Sequence, residues 1–289
     1  MKSGFVNIIG KPNAGKSTLL NALVGEKLAI VSSKVQTTRH RIRAFLNGPD
    51  YQIVFSDTPG IIEPQYKLHE KMMLAVKSSM QDADVSLFIA DVRDDFEQLD
   101  ALFSTIKTHV PCILVLNKSD LTNKKRIEEA IAFFSAKKYG KKIVVISAAK
   151  KENIDGLLEQ IVVKLPDGEP FFDVDDLTDM PTKFFAGEIV REKIFQLFEE
   201  EIPYQTAVLV QRFEEKQTLI KIVVDIIVQR ESQKAILLGG SGSMIKKLGT
   251  LARIDLEAFL GSKVFLELFV KIRSNWRNDD LYLKEYGYN

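Results

Sequence analysis

The stretch Gly10-Lys-Pro-Asn-Ala-Gly-Lys-Ser17 has residue types that can cradle a polyphosphate. It fits the G-x-x-x-x-G-K-[ST] phosphate loop. A polyphosphate needs several inward N–H donors, and only residues without bulk, here Gly10 and Gly15, let the backbone wrap so closely. Lys11, Pro12, Asn13 and Ala14 complete the loop, Lys16 is placed to reach the β- and γ-phosphates, and the Ser17 hydroxyl is placed to bind Mg²⁺. A helix opening at Lys16 and running through Thr18 adds its N-terminal dipole.

Three later stretches offer matching chemistry. Ser56-Asp57-Thr58-Pro59-Gly60 places a carboxylate for Mg²⁺ at Asp57, acting through water. Gly60 can turn its N–H toward a γ-phosphate. Asp-Thr-Pro-Gly by itself is also a good turn; its place after a phosphate loop gives it meaning. In Asn117-Lys118-Ser119-Asp120, a carboxylate at Asp120 accepts from the N1–H and the exocyclic amine of guanine. Adenine offers neither donor and leaves a desolvated acid unpaired, a difference worth roughly 10⁴ or more in discrimination. The same four residues also make a polar strand cap. Ser147-Ala148-Ala149 is small enough for its backbone to approach a base. An ATP-dependent kinase or ATPase is the competing class, and Asn117–Asp120 argues against it.

These residues need strands ending level with one another. The apolar runs Phe5–Ile9, Tyr51–Phe55, Val85–Ala90, Ile113–Leu116 and Ile143–Ile146 read as strands, with Ala44–Leu46 pairing beside Tyr51–Phe55 around Asn47-Gly48-Pro49. Helical patterns at 16–23, 69–80, 99–107, 125–137 and 154–164 separate them. That alternation predicts an α/β fold with a doubly wound, mostly parallel sheet. In such sheets ligands bind beyond the carboxyl ends of the strands, where the motifs fall.

Pro166, Gly168 and Pro170 break the pattern, so residues 1–165 read as one domain and 166–181 as a linker. Phe171 and Phe172 leave open a second arrangement, an extended segment packed on the sheet. Residues 182–289 read as a smaller α+β domain in the order α-β-β-α-α-β. A helix covers 183–200, strands 206–213 and 219–228, helices 231–237 and 244–259, and a strand 264–273. Gly239-Gly240-Ser241-Gly242 between two helices is a G-x-x-G loop, the mark of a KH module that clamps a single-stranded RNA backbone. Its middle residues are not basic, so charge must come from Lys246, Lys247, Arg253, Lys263, Lys271, Arg273 and Arg277, against Asp255, Glu257 and Glu267. Trp276 either stacks on a base or covers the core; a lone aromatic favours the core.

Composition bounds the rest. The 289 residues are 45% hydrophobic and 27% charged, with a formal net charge of +1, so any nucleic-acid surface is a local patch. Cys112 is the single cysteine, which excludes a disulfide framework, and it sits in an apolar run as a small core residue. His40, His69 and His109 have no metal-ligand spacing. No apolar run reaches the ~20 residues of a membrane span, and the N-terminus lacks the apolar core of a signal peptide. The expected location is the cytoplasm, and no obligate oligomer is expected.

The phosphate loop, Asp57–Gly60, Asn117–Asp120 and Ser147–Ala149 together resemble the translation-factor-class GTPases. That resemblance places a Mg²⁺-binding threonine of switch I in Gln36-Thr-Thr-Arg39: Thr38, just before an arginine, with Thr37 as the alternative. The metal ligands are then Ser17, Thr38 and Asp57. Ile61 stands where Ras-like GTPases carry a water-orienting glutamine. The resemblance is instead to GTPases with a hydrophobic residue there, in which an asparagine at the position of Asn13 holds a K⁺ ion. Hydrolysis of GTP to GDP would then be slow and would rest on Lys16, Thr38, Asn13 and Gly60. With the KH module, Gln36–Arg41, Glu188–Lys193, Glu201–Tyr204 and Leu266–Trp276, the whole chain resembles the bacterial GTPases of small-ribosomal-subunit assembly. The resemblance implies GTP or GDP and Mg²⁺ as ligands and the 3′ region of small-subunit ribosomal RNA, within the pre-ribosomal subunit, as partner. Gly239–Gly242, Lys246, Lys247 and Arg253 would carry the RNA contact. It also implies peripheral association with the inner membrane face. An RNA-binding assembly module with little GTP turnover is the second reading.

Overall fold

A computed structural model describes residues 1–32 and 34–288. Six strands form the first sheet: β1 (Lys2–Ile9), β2 (Ile42–Gly48), β3 (Tyr51–Asp57), β4 (Val85–Asp91), β5 (Cys112–Asn117) and β6 (Ile143–Val145). Their order is β2-β3-β1-β4-β5-β6. The β2–β3 pair is antiparallel, the hairpin expected from the sequence, and the other pairs are parallel. β4 is buried at every position, as the apolar run of a central strand requires. Register brings the carboxyl ends level, with Ile8 opposite Asp57 and Asp91 opposite Asn117.

Five helices accompany this sheet: α1 (Lys16–Val24), α2 (Lys67–Gln81), α3 (Phe96–Thr105), α4 (Lys124–Ser135) and α5 (Ile154–Val162). Asp95 caps α3 by accepting from the Gln98 N–H, and Asn123 caps α4 by accepting from the Arg126 N–H. α1 has no side-chain cap among the described residues. Its first-turn N–H groups are left for a ligand.

Residues 171–178 lie along the β2–β3 hairpin, the docked arrangement that Phe171 and Phe172 left open. Gln52, fully buried, organises the contact. Its Oε1 accepts from the N–H groups of Phe171 and Phe172, and its Nε2 donates to the Phe172 carbonyl and to Asn47 Oδ1. The Phe172 ring stacks on Phe45 at 3.9 Å. The Phe45 N–H donates to the Leu177 carbonyl, and Thr178 Oγ1 donates to the Arg43 carbonyl. An edge strand left bare invites pairing with another chain; here the chain itself covers β2.

The chain divides into two compact units, Met1–Glu63 with Met72–Asp179, and Pro64–Lys71 with Met180 onward. In the second, β7 (Ala207–Glu215), β8 (Ile220–Val228) and β9 (Val264–Ile272) form a sheet in that order, antiparallel then parallel. Around them lie α6 (Thr182–Leu197), α7 (Ile202–Gln205), α8 (Glu231–Leu238), α9 (Ser243–Leu260) and α10 (Asp280–Glu285). The α-β-β-α-α-β order is present, with the short α7 and α10 added to it. Ile222, Val224, Ile226 and Val228 of β8 pack on Ala186, Val190, Ile194, Leu237, Leu248, Ala252 and Leu256. α6 is buried on every side from Phe185 to Phe195 and carries a buried ion pair, Arg191 Nε to Glu188 Oε1 at 2.7 Å. Trp276 belongs to the core: it is wholly buried, and its Nε1 donates to the Gln205 carbonyl at 3.0 Å. Residues 64–71 group with this unit through the Lys67–Asp280 ion pair and the Arg277 guanidinium over the Tyr66 ring.

Replacing Gln52 by Leu leaves two N–H groups and a carbonyl without their partner. Urea denaturation monitored in the first unit is expected to show a loss of about 2–4 kcal/mol. A loss below about 0.5 kcal/mol would mean that the 171–178 segment is not held through Gln52.

Candidate functional site: a phosphate-loop cavity and a glycine loop

The level ends of β1, β3, β4 and β5 surround a cavity of about 500 Å³. Pro12, Asn13, Gly15, Lys16, Ser17, Thr18, Thr37, Thr38, Gly60 and Lys118 all line it. Gly15 enters α1 at φ 98°, where a side chain is strained, and an added Cβ would lie 2.2 Å from Asn117 Nδ2. Gly10 needs its lack of bulk for a different reason than wrapping: a Cβ there would lie 2.3 Å from the Ile89 carbonyl oxygen. The loop's other left-handed residue is Asn13, at φ 62°.

Asn117 joins the loops. It is buried, and its Nδ2 donates to the Ala14 carbonyl at 2.9 Å while its Oδ1 accepts from the Ala148 N–H at 3.0 Å. Ser147 Oγ donates to Asp120 Oδ1 at 2.6 Å. Asp120, Ser147, Ala148 and Ala149 lie outside the cavity lining and are tied to it through Asn117. Lys118 Nζ reaches the Asn13 carbonyl at 2.7 Å.

Lys16 is buried, and its Nζ donates to the Gly10 and Lys11 carbonyls at 3.3 and 2.8 Å. Burial pulls its pKa down to about 8 against the raising influence of Asp57. Asp57 is fully buried, and burial pushes its carboxyl above the usual range while Ser17, Lys16 and Thr38 act to lower it. Asp57 Oδ2 accepts from Ser17 Oγ at 2.6 Å and from Thr38 Oγ1 at 3.3 Å, and the two hydroxyl oxygens are 2.8 Å apart. Thr37 instead donates to the Lys34 carbonyl. Asp57 Oδ1 is buried with no hydrogen-bond partner among the described residues. One carboxylate with an unused oxygen and two hydroxyls fits Mg²⁺, which takes few protein ligands and keeps water or phosphate oxygens for the rest. Thr58 Oγ1 donates to the Ile8 carbonyl. Pro59 and Gly60 are buried, and a Cβ on Gly60 would lie 2.6 Å from the Pro12 nitrogen. The Ile61 N–H donates to the Gly10 carbonyl at 3.1 Å.

Asp91, Arg93 and Asp94 also line the cavity and were not singled out from the sequence. Their signal was the strand end at Asp91, level with Asn117. Asp91 pairs with Arg93 at 2.7 Å and with Lys118 at 2.9 Å. Its burial favours the neutral acid, but hydrogen bonds from Arg93 and Lys118 prevail and hold its pKa at about 2.

In the second unit, Gly239 at φ 69° and Gly242 at φ 77° frame the loop between α8 and α9. A Cβ on Gly239 would lie 2.6 Å from Met244 Cγ, whereas Gly240 has open space around it. Ser241, at φ 52°, is exposed. Lys246 and Lys247 are exposed within the first two turns of α9. Three of the other cations expected to help are engaged elsewhere: Arg253 with Glu257, Lys271 with Asp225, and Arg277 over Tyr66.

The fold and site define a phosphate-loop GTPase domain followed by a KH module. Family models described as a 50S ribosome-binding GTPase and a KH domain match residues 5–118 and 201–277. A GTPase Era from Geobacter metallireducens is 44% identical over 99% of this chain and 98% of its own length. A chloroplastic ERA-like GTPase of Oryza sativa is 42% identical over 99% of this chain and 69% of its own. A crystal structure of an Aquifex aeolicus Era variant bound to GDP·AlF4⁻ superposes with a TM-score of 0.96 at 39% identity, covering 100% of this chain and 99% of that one. A structure of Era with MgGDPNP and nucleotides 1506–1542 of 16S ribosomal RNA gives 0.94 at 40% identity, with the same coverage. The chain belongs to the Era family of GTPases.

The stability that Asp91 contributes follows from its lowered pKa. The folded carboxyl stays ionised to about pH 2, while the unfolded one protonates near 3.8. That contribution is complete above the unfolded value and vanishes as pH falls through 3.8 toward 2. In thermal melts, Asp91→Asn is expected to be less stable than the parent above pH 5, with the gap closing below pH 4. A gap independent of pH would refute the pairing.

Proposed function

We propose that this chain binds guanine nucleotide with Mg²⁺ at the phosphate loop, hydrolyses GTP slowly, and binds the 3′ region of small-subunit ribosomal RNA through Gly239–Gly242, assisting small-subunit assembly. The observation that carries the nucleotide half is the Asn117 side chain, which ties the phosphate loop to the Ala148 backbone and leaves Asp120 positioned by Ser147. A carboxylate held in that way suits the paired donors of guanine. The Era structures with MgGDPNP, GDP·AlF4⁻ and the 16S segment support the same ligands here.

In this reading Gly10–Thr18 wraps the phosphates with backbone N–H groups, and Lys16 turns from the Gly10 and Lys11 carbonyls to the β- and γ-phosphates. Ser17, Thr38 and Asp57 would hold Mg²⁺, which neutralises charge on the phosphates and orients them. Gly60 offers its N–H to the γ-phosphate. Water attacks the γ-phosphorus and the bond to the β-phosphate oxygen breaks, yielding GDP and phosphate. Ile61 has no polar side chain to orient that water, so turnover depends on positioning and charge. Asn13, on the cavity wall, is the proposed K⁺ ligand that supplies further positive charge. Lys246 and Lys247 add local attraction for RNA at the glycine loop. The proposed location is the cytoplasm; peripheral membrane contact rests on the family resemblance alone.

Replacing Asp120 by Asn exchanges an acceptor for a donor. Titration calorimetry is expected to show GTP affinity falling at least a hundred-fold and xanthosine triphosphate affinity rising. Unchanged preference for GTP would sink the assignment. Turnover is expected to be several-fold higher in K⁺ than in Na⁺, with Asn13→Ala removing the difference; equal rates in both salts for the parent chain rule K⁺ out. Gly240→Asp with Ser241→Asp places two negative charges on the loop at open, exposed positions. This variant is expected to bind the 1506–1542 RNA segment at least ten-fold more weakly, and full affinity would contradict the assigned RNA site.

A further inference from the structure

The first unit contains a second cavity, of about 1050 Å³, at the opposite end of the sheet from the phosphate loop. It is bounded by the C-terminal half of α3, the segment leading into β5, the 3₁₀ turn Lys138–Lys141, and Lys164 beyond α5. Cys112 at its edge begins β5, whose other end is Asn117, so the length of that strand, roughly 17 Å, separates the two sites.

Its charge is unbalanced. Asp100 is the one carboxylate among its lining residues, and it is already engaged: it pairs with Lys137 and accepts from Tyr139 OH at 2.7 Å and Ser104 Oγ at 3.2 Å. Lys107, Lys138, Lys141, Lys142 and Lys164 line the same opening and pair with no carboxylate among the described residues. In a chain of formal net charge +1, five uncompensated lysines around one trough are a concentrated field.

The shape of that field selects the ligand. Phe88 and Phe103 at the floor are buried, and α3 ends here, so the negative end of its dipole points this way. A small phosphate seated inside would meet a helix carboxyl end instead of the N–H groups that hold phosphates elsewhere in this chain. Lys107, Lys138 and Lys141, by contrast, are exposed on the rim. Flexible ammonium groups spread around a mouth suit a repeated anion lying across it.

We propose that this lysine-rimmed trough is a second RNA contact, which binds a phosphodiester backbone without regard to sequence. It shares only its ligand class with the proposed function and is separate from both the nucleotide cavity and the Gly239–Gly242 loop.

The test uses the full-length chain with Gly240→Asp and Ser241→Asp in place, so that the glycine loop is disabled, and whole 16S ribosomal RNA as the probe. Residual binding is expected at low salt. Adding Lys138→Gln, Lys141→Gln and Lys142→Gln is expected to weaken it by about ten-fold or more and to reduce the slope of log affinity against log salt by about 2 to 3. Lys-to-Arg replacement at the same positions is expected to retain binding, and GTP turnover to stay unchanged in both. Should the glutamine variant prove unstable, Lys107→Gln with Lys164→Gln across the trough must show the same direction of effect. Equal affinity and equal slope with and without the lysines would overturn the proposal. So would loss of binding to phosphatidylglycerol vesicles with RNA affinity intact. Failure of the glycine-loop assignment would show instead as undiminished binding of the 1506–1542 segment by the doubly aspartate-substituted chain.

Discussion

The nucleotide site depends on one buried amide. Asn117 lies at the end of a central parallel strand and has a partner on each side, the Ala14 carbonyl and the Ala148 N–H. A buried amide left half-paired costs about 1–3 kcal/mol, so the two loops are held in the register that satisfies it. Gly15 follows from the same packing, because the Asn117 amide occupies the space a Cβ would take. The turn into α1 and the approach of the Ala148 backbone are therefore tied to a single residue at a strand end, while Ser147 in the adjoining loop holds Asp120.

Around that frame the site carries charge it does not fully compensate. Lys16 and Asp57 are both buried, and burial drives each toward its neutral form. Among the described residues, Lys16 donates to two loop carbonyls and Asp57 keeps one oxygen without a partner. Such groups lower the stability of the empty fold, and a ligand that brings phosphate and a divalent cation reverses that cost. Binding of nucleotide and ordering of the Thr38 and Gly60 segments are then expected to be coupled.

Much of this was legible in the sequence because backbone chemistry leaves a mark on residue type. A loop that must crowd its backbone against a ligand or a neighbouring strand requires glycine, and a buried parallel strand requires an apolar run; both are visible in one dimension. Trp276 followed from the weakness of a lone aromatic as evidence for stacking. What stayed hidden depends on tertiary partners. Asp91 and Arg93 form no motif, and their role appears only once β4 lies beside β5. Gln52 reads as an ordinary polar residue in a strand, yet it holds a segment more than a hundred residues away. No sequence pattern marks Glu188 and Arg191 of α6 as interior, yet they pair with each other there. The pairing of Arg253 with Glu257 was likewise not visible from the sequence.

The two units bring different chemistry to one chain, a site whose phosphate loop and Asn117–Asp120 suit guanine nucleotides and a glycine loop suited to RNA, and we propose that the nucleotide held by the first sets how firmly the second binds RNA. Crosslinking of the chain to 16S ribosomal RNA, with MgGDPNP in one sample and GDP in the other, measures this directly. Crosslinks are expected at the 239–242 loop, with a yield that differs several-fold between the two nucleotides. Equal yields at the same nucleotides of the RNA in both states would contradict it.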